Sequence, residues 1–90
     1  MHVSQLRHKL LDLVATVLVD DLSLPFDRKT VEPDVPMFAA GLGLDSVDAV
    51  DLIAAIERRT GVRLPDDITG RLALRTPGTL VEFLVSAGVV

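Results

Sequence analysis

From Val3 to Val19 the apolar residues Leu6, Leu10, Leu13, Val14 and Val17 recur at helical spacing, with Gln5, Lys9, Asp12 and Thr16 between them. The pattern predicts a first helix over about residues 4 to 19. The next stretch, 20–44, carries Pro25, Pro33, Pro36, Gly41 and Gly43, which interrupt any regular helix or central strand. It reads as a long loop. A loop of that length in a small domain is either functional or held to the core, and Met37, Phe38, Leu42 and Leu44 are the residues expected to hold it.

A second helix is signalled at "DSVD". Asp45 is a good N-cap, Asp48 stands where it can close a capping box, and Gly61 is placed to stop the helix after Thr60. In "VRLPDDITGRLA" the run Pro65, Asp66, Asp67 starts a short third helix that ends by about Leu72. The fourth helix has Thr76 as N-cap, Pro77 at its first position, apolar Leu80, Val81, Phe83 and Leu84, and Gly88 beyond its end. No period-2 run is long enough to compete as a sheet. The expected fold is all-α, a small bundle of three main helices plus one short helix, with a long ordered loop between helices one and two. Residues 1–90 make one domain.

Composition narrows the chemistry. Half of the chain is apolar (49%) but only Phe26, Phe38 and Phe83 are aromatic, so the core is built from Leu, Val, Ile and Ala. A net charge of -4 argues against a nucleic-acid partner and for basic partner proteins. With no cysteine, there is neither a disulfide nor a Cys-ligated metal, and any thiol chemistry must be imported. Charges interleave with the apolar residues of "MHVSQLRHKLLDLVATVLV", which makes it a poor signal peptide, and its longest apolar run is too short to span a bilayer. A cytoplasmic, soluble monomer is expected.

The second helix has two apolar stripes. Ala49, Leu52, Ile53 and Ile56 form a core-facing one, while Val47, Val50 and Ala54 lie on a face turned away from it. The second stripe is either a widened core face or a partner-binding stripe. The acids Asp45, Asp48, Asp51 and Glu57 favour the partner reading, because the helix dipole accounts for Asp45 and Asp48 but not for Asp51. Ser46 falls at the first helical position, where a phosphate ester would be stabilised by the helix N-terminus. It is poorly equipped as a nucleophile in catalysis. The only histidines, His2 and His8, belong to the first-helix region, and Leu44 and Asp48 break the G-x-S-x-G elbow. Taken alone, the Asp-Ser pair reads most simply as a cap. Gly41-Leu-Gly43 lacks the third glycine and the βαβ setting of a dinucleotide fingerprint. No metal site is expected either, since Asp45, Asp48 and Asp51 on one helix cannot wrap a calcium ion as a loop does.

At this point "MFAAGLGLDSVDAVDLIAAIERRTGVRLPDD" resembles the central signature of the acyl carrier proteins. That signature runs from an aromatic through Leu-Gly-x-Asp-Ser and then Leu or Val, into an acidic apolar helix and an Ile- or Leu-Pro-Asp step. The order of the remaining helices fits too, so the resemblance spans nearly the whole chain. It implies a non-catalytic carrier whose Ser46 accepts 4′-phosphopantetheine from coenzyme A, through a phosphopantetheinyl transferase that uses Mg²⁺. It also implies that Asp45 supports loading and that Val47, Asp48, Val50, Asp51 and Ala54 dock acyl-loading and chain-extending or modifying enzymes. Leu52, Ile53 and Ile56 would line a core in which an acyl chain shelters, entering between helices two and three past Ile68 and Leu72.

The implied pathway is fatty-acid or polyketide assembly. The alternatives are a peptidyl or aminoacyl carrier, which usually shows Gly-Gly-His-Ser or Gly-Gly-Asp-Ser in place of "GLGLDS", and a helical interaction module with no prosthetic group. Three departures from the family pattern stand out. Ala40 and Gly41 replace acids common in fatty-acid carriers, and Arg58 and Arg59 replace a more acidic helix end. Thr60 stands where an aromatic is frequent, a change expected to loosen the nearby core.

Overall fold

The computed structural model describes residues 3–38 and 40–89, so His2 lies outside the described residues. Its helices are α1 (Val3–Thr16), α2 (Ser46–Thr60), α3 (Ile68–Ala73) and α4 (Pro77–Ser86), and no strand forms among the described residues. The expected all-α bundle with one short helix is what the chain forms. The long loop holds one 3₁₀ turn, Arg28–Thr30, which the sequence pattern does not predict, and the end of the first helix differs from the periodicity. The α-helix stops at Thr16 and continues as a wider π-turn over Val17–Asp21, closed by the Leu22 amide donating to the Val17 carbonyl at 2.9 Å. This wider turn leaves both Val17 and Leu18 fully buried while Asp20 and Asp21 stay exposed.

α1 packs along α4, the π-turn packs on α2, and α3 leans on α4. Between them lies a core of aliphatics, with Val14, Leu18, Leu52, Ile56, Leu80 and Leu84 wholly excluded from solvent. The long loop is part of this core. Met37 is fully buried, Val31 and Leu44 are nearly so, and Phe38 and Leu42 pack against the same cluster. Its backbone is tied down as well. The Met37 amide donates to the Arg75 carbonyl at 2.9 Å, and the Gly78 amide to the Pro33 carbonyl at 2.9 Å. These cross-links fasten the loop to the turn before α4 and to its first residues, which removes the entropy that a free loop of this length would keep.

Two ion pairs staple the outside. Arg59, near the end of α2, grips the Asp21 carboxylate with two nitrogens, at 2.6 and 2.7 Å. Arg7 of α1 holds Glu82 of α4 in the same two-pronged way. Each guanidinium lowers its partner's carboxyl pKa, from ordinary values of 3.8 for Asp21 and 4.5 for Glu82, chiefly by hydrogen bonding. A carboxyl depressed in the folded state contributes stability above its unfolded pKa and loses it as pH falls through the folded one. The thermal midpoint is therefore expected to hold from neutrality down to about pH 4.5 and to drop below it. Arg59→Ala and Arg7→Ala should each flatten that acid limb, as read by thermal melts across pH 3 to 7; an acid limb identical to wild type in both would remove the ion pairs as its cause.

Candidate functional site

The start of α2 is built by three consecutive devices. The loop doubles back so that the Leu42 amide donates to the Pro36 carbonyl at 2.8 Å and the Leu44 amide to the Met37 carbonyl at 2.9 Å. Gly43 takes a positive φ of 73° in this return, and Leu44 is buried as its anchor. Asp45 then caps the helix. Its Oδ1 accepts from the Asp48 amide at 2.9 Å, and Asp48 Oδ2 accepts from the Asp45 amide at 3.1 Å, which closes the reciprocal box that the sequence predicted.

With the capping done by Asp45 and Asp48, Ser46 is not the cap. It is the first residue of the helix, exposed, at the positive end of fifteen aligned peptide dipoles. Nothing in the box needs its hydroxyl. The simplest reading of the Asp-Ser pair is thereby set aside, and the place suits a phosphate ester that reaches into solvent. Among the described residues no group of side chains is disposed to hold a metal ion.

The two stripes of α2 part company in the structure. Leu52 and Ile56 are fully buried, whereas Ala49 and Ile53 are half-buried. Ala55 is also fully buried, a core position the pattern missed although it lies three residues from Leu52. On the far side, Val47 and Val50 are each 66% exposed, and Ala54 and Asp51 are exposed beside them. The outward stripe is therefore not a widened core face. Ile68 and Leu72, expected to flank an entry into the core, sit on the surface of α3 at 63% and 49% exposure.

The departures from the family pattern fall on both sides of α2, in the loop before it and at its far end. Gly41 needs to be glycine here, because a Cβ on it would fall 1.9 Å from the Pro36 carbonyl oxygen. Thr60 ties the helix end to the turn that follows it. Its hydroxyl donates to the Ile56 carbonyl at 2.7 Å and accepts from the Val62 amide at 3.1 Å. The two arginines divide: Arg59 is consumed by Asp21, while Arg58 is exposed and forms no ion pair among the described residues. Asp21, Leu22, Asp51, Ala54 and Arg58 enclose a shallow hollow of about 270 Å³ between the π-turn and α2. No feature of the sequence announced it, since residue 21 is brought to α2 only by tertiary packing.

Residues 8–84 match the family described as phosphopantetheine attachment site. The chain is 34% identical over 78 residues to the acyl carrier protein of Thermosynechococcus vestitus, covering 87% of this chain and 90% of that protein. It is 30% identical over 81 residues to the acyl carrier protein of Tropheryma whipplei, covering 90% and 93%.

Proposed function

The chain belongs to the acyl carrier protein family, whose covalent group is 4′-phosphopantetheine, and on that premise we propose that Ser46 is the attachment point. As in the rest of the family, the protein is a carrier acted on by enzymes and not itself an enzyme. The observation that carries the assignment is the capping box. Asp45 and Asp48 satisfy the helix start by themselves, which leaves an exposed serine hydroxyl at the positive helix end with no structural task. On loading, a bond forms between Ser46 Oγ and the phosphorus of the phosphopantetheine half of coenzyme A, the hydroxyl proton passes to the transferase, the pyrophosphate P–O bond breaks, and adenosine 3′,5′-bisphosphate leaves. The arm supplies the thiol that a chain without cysteine lacks, and acyl groups ride on it as thioesters.

The cargo is read as an acyl chain of fatty-acid or polyketide type. The "GLGLDS" step and relatives that are named acyl carrier proteins support this reading over a peptidyl carrier. Asp45 contributes its exposed carboxylate to Mg²⁺-dependent loading. Val47, Val50 and Ala54 form the apolar contact for the transferase and the acyl-processing enzymes, with Asp48 and Asp51 on its flanks. No helix among the described residues is long and apolar enough to cross a membrane. The carrier is read, on the family's account alone, as a cytoplasmic monomer.

The direct test is intact mass after incubation with coenzyme A, Mg²⁺ and a broad-specificity phosphopantetheinyl transferase. One phosphopantetheine should be added, on the peptide that contains Ser46; an unmodified mass with several such transferases would end the proposal. Docking has its own readout. Exposed charges are screened over about 8 Å at physiological salt, so loading should slow as salt rises. Asp51→Lys should slow it about tenfold at low salt with the thermal midpoint unchanged, since reversing one contact charge is worth about 1.4 kcal/mol. Equal rates for the two proteins across the salt series would take Asp51 out of the interface.

A further inference from the structure

We propose that the docking face of α2 is bipolar, acidic toward Ser46 and cationic at Arg58, and that it selects an enzyme surface presenting a carboxylate opposite Arg58 as well as bases opposite Asp48 and Asp51. The inference rests on the carrier reading but adds to it a residue and a partner chemistry. Its starting point is the unequal fate of two adjacent, chemically identical side chains. Arg59 is held at both prongs by Asp21, so its charge is committed to a surface ion pair within the chain. Arg58 is exposed and has no ion-pair partner among the described residues.

Helix geometry places Arg58 on the docking stripe. Val47, Asp51, Ala54 and Arg58 follow one another at intervals of four, three and four residues, the spacing of side chains that stand in line along one face. Between Asp51 and Arg58 the helix turns nearly a whole number of times, with a residual drift of about 20°. The two charges are separated by about 10 Å along the axis. That exceeds a Debye length of about 8 Å, so in salt they act on a partner as two separate sites and not as one neutralised pair. Between them, the exposed Ala54 forms part of the hollow shared with Asp21 and Leu22, which can receive a side chain from the partner.

A partner that is only basic would find Arg58 repulsive. This makes the sign of the effect decisive. With the phosphopantetheine-loaded protein and a purified chain-extending enzyme from the same organism, Kd is measured for wild type, Arg58→Lys, Arg58→Gln and Arg58→Glu at low salt. Arg58→Lys should bind as wild type, Arg58→Gln about threefold more weakly, in the range of a single exposed charge contact, and Arg58→Glu about tenfold more weakly, because reversal adds a repulsion to the lost attraction. Arg58 forms no ion pair among the described residues, although its charge lies near enough to Asp21 to help lower that carboxyl's pKa, so thermal melts check that all four are folded at the temperature where Kd is read. Unchanged or tighter binding by Arg58→Gln and Arg58→Glu would overturn the proposal while leaving the carrier assignment intact, and a wild type that could not be loaded would remove both. A second copy of this chain is the competing occupant. Dimerisation on sedimentation that Arg58→Glu abolishes would give the face to that copy and overturn the proposal too.

Discussion

Ser46→Ala is expected to abolish phosphopantetheine loading completely and to leave the fold unchanged. Both halves follow from the geometry at the start of α2. The hydroxyl is the only atom removed, and it does no capping: Asp45 and Asp48 exchange the two hydrogen bonds that close the helix start. Alanine is a good helix former at an exposed first-turn position, so the stability change should stay within about 0.5 kcal/mol. Asp45→Ala is the informative contrast. It keeps the hydroxyl but removes the cap, at a cost of about 1 kcal/mol, and should both lower the thermal midpoint and slow loading. Three other serines, Ser4, Ser23 and Ser86, are exposed as well, so exposure alone does not select a site. What distinguishes Ser46 is its place at the head of a capped helix. Intact-mass spectra of the Ser46→Ala protein after exhaustive incubation decide the matter, and an added phosphopantetheine on any other serine would refute the assignment.

The parts of the fold that were legible in the chain are those set by local chemistry. Asp45 with Asp48, Gly61 after Thr60, and Thr76 followed by Pro77 are short-range signals, and each appears at the predicted position, the two caps with their side-chain hydrogen bonds. Gly61 takes φ 75°, the left-handed turn that ends α2. The loop pins Met37 and Leu44 were readable because apolar residues in a loop rich in proline and glycine have few other uses. Long-range features were not readable. The π-turn at Val17–Asp21 depends on how Val17 and Leu18 meet the rest of the core, and a period of 3.6 residues carries no trace of it. The different fates of Arg58 and Arg59 were equally hidden, because the residue that separates them, Asp21, lies 38 positions away in sequence. The candidate serine was found by motif, and its place after the Asp45 cap was legible in the same stretch because the capping box is a local signal.

Gly41→Ala is expected to be more destabilising than Gly61→Ala, and it reports on how the loop positions Ser46. Two glycines bracket α2 for different physical reasons. At Gly61 a Cβ meets nothing within 4 Å, and the constraint is the left-handed backbone alone. Alanine there costs about 1 to 2 kcal/mol, and asparagine, which tolerates that conformation, should recover most of the loss. At Gly41 the constraint is space. A Cβ would lie 1.9 Å from the Pro36 carbonyl oxygen, 2.7 Å from its carbon and 2.9 Å from the Pro36 ring, and neither backbone nor ring can swing aside as a side-chain end could. The chain must shift, and the shift strains the Leu42 to Pro36 hydrogen bond beside it. Overpacking of this kind costs about 1 to 3 kcal/mol, and the strained hydrogen bond adds about 1 kcal/mol. For a domain of this size, a loss of about 3 kcal/mol lowers the thermal midpoint by about 12 to 24 °C and removes a large share of the total stability. Asparagine at 41 should be no better than alanine, the opposite of its behaviour at 61. Because Leu42 and Leu44 set the approach to Asp45, Gly41→Ala should also slow loading at temperatures where the variant is still folded. Thermal melts of the four single variants decide it: if Gly41→Ala melts with wild type, the close approach to Pro36 is not what places the head of α2.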